Sequence, residues 1–114
     1  YIKDKYKIGL VTASPLHSFE YVDRILNLKK YFSKIITNDD TNRSKPMPDP
    51  YIKMMKLLDL NPKETLIIED SINGMNSAKS SLANVVGITG SVNVKDMPNP
   101  DIIINNFSEL FNIV

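Results

Sequence analysis

The chain has 114 residues, 42% of them apolar and 24% charged, which is the size and composition of one ordinary globular domain with a core of its own. Fourteen basic and thirteen acidic residues leave a net charge of +1, so there is no electrostatic footprint for nucleic acid and no basic run for a membrane surface. The apolar runs are too short to span a bilayer, no stretch reads as a signal peptide, and with no cysteine a cytoplasmic location is the default expectation.

In chain order, the first apolar run, Lys7–Thr12 (KIGLVT), reads as a strand. Ser14-Pro15 then reads as an N-cap and an N1 proline, opening a helix whose apolar stripe is Phe19, Val22, Ile25 and Leu26. A second strand is expected at Lys34–Thr37, followed by a long loop, Asn38–Met47. Pro48-Asp49-Pro50 starts another helix, with Ile52, Met55 and Leu58 on one face, and Asn61-Pro62 ends it. Thr65–Glu69 is the third strand, and Met75, Ala78 and Leu82 form a short helical stripe after it. Strands at Asn84–Ile88 and Asp101–Ile104 flank a second long loop, Thr89–Pro100. The strand runs are continuous rather than alternating, as in parallel strands covered on both faces. Strands alternating with helices predict an α/β, Rossmann-like, doubly wound parallel sheet in one domain over residues 1–114.

In such sheets ligands bind beyond the carboxyl ends of the strands. Thr12-Ala13-Ser14, the loop bearing Ser44-Lys45-Pro46, and Glu69-Asp70-Ser71 should all open there. Two adjacent carboxylates, Glu69 and Asp70, resist joint ionisation unless a cation lies between them. That cation is either a lysine or a hard metal such as Mg²⁺. The alternative is that Asp70 or Ser71 merely caps the helix that follows. Lys45, stiffened by neighbouring prolines, suits a phosphate, although a lone lysine is ordinarily just solvated. Thr12 reads either as a β-favouring packing residue or as a phosphate-facing hydroxyl. His17, the only histidine, reads as a surface residue, since no partner acid is identifiable.

Taken together, GLVTASPLH, SKPMPDPY and LIIEDSINGMNSAKSS resemble the second, third and fourth motifs of haloacid dehalogenase-like hydrolases, in the same order. The resemblance is strongest to the sugar-phosphatase and β-phosphoglucomutase branch. Within that branch TASPLH and EDSINGM are similar to 2-deoxyglucose-6-phosphate and hexitol phosphatases. It implies that Thr12, with Ala13 and Ser14, binds the transferring phosphoryl group, and that Lys45 neutralises phosphate and nucleophile. It implies further that Asp70 ligates Mg²⁺, with Glu69 a ligand or a supporting partner, and that the substrate is a small phosphorylated sugar or polyol.

The resemblance is incomplete. The family's first motif, Asp-x-Asp-Gly, carries the nucleophile, and none of the chain's aspartates stands in that pattern. The helical cap that follows it is missing too. The chain therefore reads as the C-terminal part of a longer phosphatase, needing an upstream segment for the missing strand and cap. The alternatives are an inactive pseudoenzyme or interaction module, and a phosphomutase. Pro15, standing where mutases tend to carry a basic residue, disfavours the last. In the family the missing strand lies between those matching Lys7–Thr12 and Thr65–Glu69. Left empty, that gap should collapse to about one strand spacing, 4.8 Å, or be filled by another chain, or leave the domain marginally folded.

Overall fold

The computed structural model describes residues 2–114. Its five strands lie within the apolar runs: β1 Gly9–Val11, β2 Lys34–Ile36, β3 Leu66–Glu69, β4 Asn84–Ile88 and β5 Ile102–Ile104. The helices are α1 Ile2–Lys5, α2 Leu16–Leu26, α3 Asp49–Leu58 and α4 Ile72–Ser80. Short 3-10 turns fill several connections, and a longer one, Phe107–Asn112, lies near the end of the chain.

All the strand pairs are parallel, as α/β crossovers require. β4 is the centre of a three-stranded sheet, with Ile67 opposite Val85 on one side and Gly87 opposite Ile103 on the other. Successive β4 residues face opposite ways. Val85 enters a core with Ile67, Met75, Ala78, Met55 and Tyr51, under α3 and α4. Val86 enters a second core with Ile88, Ile104 and Leu110, covered by the Phe107–Asn112 turn. Burial on both faces explains why Val85–Ile88 of β4 carries no polar side chain.

Among the described residues β1 pairs only with β2, in a separate two-stranded sheet, and β3 pairs only with β4. The parallel α/β architecture is as the sequence implies, but it is divided. Of the three outcomes open for the gap, collapse of β1 onto β3 is not the one seen. What joins the halves is the helical layer. α3 packs on β1 and β2, α4 packs on β3 and β4, and the two helices touch. Val11 bridges the α3 core and the central core.

Three helical expectations need correction. The α2 stripe is not a core face: only Phe19 is buried, while Val22, Leu26 and Ile25 are exposed, Ile25 by 67%. On α3 the buried side is Tyr51, Met54, Met55 and Leu58, and Ile52 is partly exposed. Leu82 lies beyond the end of α4 and is 79% exposed. The caps also differ. Pro15, not Ser14, is the α2 N-cap. α3 stops at Leu58 with Asp59 left-handed, and Asn61-Pro62 instead begins a 3-10 turn.

Candidate active site

The carboxyl ends of β1, β2 and β3 converge. Just beyond β1, Thr12 and Ala13 line a narrow cleft with Thr37 and Asn38 beyond β2, and with Thr41, Ser44 and Lys45. Backbone bonds hold this edge. The Thr12 amide donates to the Ile36 carbonyl at 2.9 Å, and Asn38 donates to the Ser14 carbonyl at 3.0 Å. The Ser14 amide donates to Thr12 Oγ1 at 3.1 Å, which leaves the hydroxyl proton free to donate elsewhere. Pro15 has no side-chain acceptor to cap α2, and Asp39 serves instead. Its Oδ2 accepts the Leu16 amide at 2.7 Å from 23 residues away. Ser14 and His17 are exposed.

The loop that carries Lys45 is fastened at several points. Met47 donates its amide to the Ser44 carbonyl at 3.0 Å, closing a turn around the cis Lys45–Pro46 bond. The buried Ser77 hydroxyl of α4 donates to the Met47 carbonyl at 2.6 Å. Arg43 Nε donates to Asp49 Oδ2 at 3.0 Å, and its Nη2 lies 3.0 Å from the other oxygen. The Lys45 ammonium is thereby directed inward, onto Glu69 Oε1 at the end of β3.

Glu69 is 6% exposed, and its Oε1 accepts from both Lys45 and Tyr51. Tyr51, buried on α3, donates its hydroxyl to the same Oε1, and the Lys45 ammonium sits 5.1 Å from the Tyr51 ring centroid. The other oxygen lies over Gly74, where a Cβ would come within 2.0 Å of Oε2. Burial first, then the charge of Glu69, its hydrogen bond and the charge of Asp70 push the Tyr51 phenol far above the ordinary tyrosine range. It is a permanent donor.

Asp70 is different. It is exposed, and the Ser91 hydroxyl donates to its Oδ2 at 3.3 Å. The helix cap falls to Ser71, whose Oγ accepts the Gly74 amide at 3.0 Å, so Asp70 is not needed for it. As a donor for a hard cation Asp70 fits. Glu69, already holding two donors, does not stand open beside it. Among the described residues no three metal-ligating acids, histidines or cysteines cluster.

Of the residues singled out in the sequence, Thr12, Ala13 and Lys45 share one cleft, Glu69 is bonded to Lys45, and Asp70 lies beside Glu69. Sequence reasoning missed Tyr51, Gly74, Asp39 and Ser91. Tyr51 stood inside the quoted SKPMPDPY, and its signal was an amphipathic side chain one residue off the expected α3 stripe.

The profile of the haloacid dehalogenase-like hydrolases matches residues 2–88. The phosphoglycolate phosphatase of Escherichia coli (strain K12) is 32% identical over 106 residues, covering 90% of this chain and 42% of that one. The pyrophosphatase PpaX of Bacillus mycoides (strain KBAB4) is 30% identical over 116 residues, covering 98% and 54%. CbbY from Rhodobacter sphaeroides, solved in complex with phosphate, superposes with a TM-score of 0.85 at 24% identity, covering 96% and 50%. A subfamily IA hydrolase from Geobacter sulfurreducens gives 0.84 at 24% identity, covering 99% and 55%. The chain thus spans about half the length of the relatives it matches. With three quarters of its residues inside the family profile, and with the parallel core described above, this chain belongs to the haloacid dehalogenase-like hydrolases.

Proposed function

We propose that this chain forms the phosphate- and cation-binding edge of a Mg²⁺-dependent phosphatase acting on small phosphorylated sugars or polyols. The observation that carries the reading is the single cleft shared by Thr12 and Lys45, with Asp70 at the same edge. Thr12 donates its free hydroxyl proton to a phosphoryl oxygen. Lys45 offsets negative charge as it develops. Asp70 offers a hard oxygen to Mg²⁺, which when bound would draw charge from the phosphoryl group.

The nucleophile is an aspartate from outside these 114 residues, since no Asp-x-Asp-Gly stands among them. Its carboxylate oxygen forms a bond to phosphorus as the substrate oxygen–phosphorus bond breaks, and the released alkoxide takes up a proton. Water then adds to phosphorus, freeing inorganic phosphate and restoring the carboxylate. The preference for a sugar or polyol is supported by the likeness of TASPLH and EDSINGM to phosphatases of that kind.

The test is an assay of 2-deoxyglucose 6-phosphate and p-nitrophenyl phosphate with Mg²⁺. The 114-residue chain alone should not turn them over. Joined to a segment bearing Asp-x-Asp-Gly it should, and Lys45→Ala should then cut the rate by about 10²–10³-fold, the usual loss for one charge-stabilising donor. Robust turnover by the chain alone, abolished by Asp70→Asn, would overturn the assignment of the nucleophile.

A further inference from the structure

The buried hydroxyl of Tyr51 has no place in the phosphatase reading, yet it is bonded to the one carboxylate that holds Lys45. A phosphate lysine faces a difficulty here. To meet an anion in the cleft, the ammonium must loosen its hold on Glu69. Glu69 is 6% exposed, so water cannot take the ammonium's place. A buried carboxylate stripped of its partner is strongly destabilised.

We infer that Tyr51 is the positioning residue that makes Lys45 transferable: its hydroxyl keeps Glu69 hydrogen-bonded while the ammonium turns from the carboxylate to a phosphate. Three observations support this. Both donors meet the same oxygen, Oε1, so Tyr51 already carries part of the load. The ring face of Tyr51 lies under the ammonium at 5.1 Å and follows it as a weak cation partner during a short swing. Finally, Lys45 lines the cleft as well as touching Glu69, so the swing needs a side-chain rotation and no movement of the pinned loop. The inference rests on Lys45 being the phosphate lysine.

The sign of the effect separates this role from a packing role. If Tyr51 were only a strut, losing its hydroxyl would loosen the site and expose Lys45. If it shares Glu69 with Lys45, losing the hydroxyl makes Glu69 cling to the ammonium more tightly. The experiment is amine acylation of the 114-residue chain, followed lysine by lysine by mass spectrometry at one pH and without phosphate. In Tyr51→Phe, Lys45 should label about ten-fold more slowly than in the wild type, the scale of one hydrogen bond to a charged group. The other lysines should be unchanged. In Glu69→Gln, Lys45 should label faster than in the wild type, and adding Tyr51→Phe should then change nothing, because no charge remains to share. Amide exchange in β4 reports whether each variant is folded. Labelling of Lys45 that is unchanged or faster in Tyr51→Phe overturns the proposal, as does a further effect of Tyr51→Phe in the Glu69→Gln background. Because no turnover is measured, that failure would leave the phosphatase reading standing, and a failed activity assay would leave this result standing.

Discussion

Gly74 shows how tightly one residue is tied to the candidate site. In a helix interior, alanine is normally better than glycine by about 1 kcal/mol. At position 74, however, a Cβ would stand 2.0 Å from Glu69 Oε2 and 2.2 Å from its Cδ. Forcing atoms into a packed site costs about 1–3 kcal/mol, and here the clash also pushes Glu69 off Lys45 and Tyr51. Gly74→Ala should therefore lower stability by about 2 kcal/mol where propensity alone predicts a gain. A urea melt checks this, and a midpoint at or above wild type would mean Glu69 is not held where it is seen. This close approach was not legible in the sequence. Nothing in EDSINGM distinguishes a glycine that clears a carboxylate from one that merely begins a helix.

Among the elements, helix ends and helix faces diverge most from expectation. α4 stops at Ser80, and Leu82 follows at φ +69°, a left-handed backbone that costs a residue with a Cβ about 1–2 kcal/mol. Its side chain is 79% exposed and returns little by burial. Leu82→Gly should raise stability by about 1 kcal/mol, read as a higher urea midpoint. A loss would show that the exposed leucine contributes packing after all. The α2 and α3 ends sit in the same conformation more easily, at Asn27 and Asp59, residue types that tolerate it. Periodicity explains both the success and the failure of the sequence reading at this scale. It places Asn84–Ile88 to the residue, because Val85–Ile88 is covered on both faces and none of those four positions can carry a polar side chain. It also identifies Val22, Ile25 and Leu26 as sharing a face on α2, which they do without being buried. A pattern states which residues would be covered together, not whether anything covers them. The Lys45–Glu69 pair spans 24 residues and the Tyr51–Glu69 bond 18, so both depend on how the halves pack.

Across the whole molecule, the divided sheet implies unequal stability. β4 has hydrogen-bonded neighbours on both sides and four buried residues in succession. β1 and β2 are three residues each, pair only with one another, and bury little beyond Ile36. Native-state amide exchange should find β4 the slowest to exchange and the β1–β2 pair markedly faster. Equal protection of both sheets would mean the helical layer alone makes them one cooperative unit. Thr12 lines the cleft just beyond β1, and Lys45, which also lines it, is held by Glu69 at the end of β3, so the site depends on both sheets. Its charge balance has a further consequence. At this edge the Lys45 ammonium is already paired with Glu69, the neighbouring Asp70 adds a second, exposed carboxylate, and the first amide of α2 is already taken by Asp39. A phosphate dianion arriving there meets an excess of its own sign. Phosphate and a divalent cation should therefore bind as linked ligands, each weak alone and each strengthening the other by the same factor, as reciprocity demands. Titrating inorganic phosphate with and without Mg²⁺, and Mg²⁺ with and without phosphate, measures that factor twice, and two ratios near unity would mean the edge discriminates by shape rather than by charge.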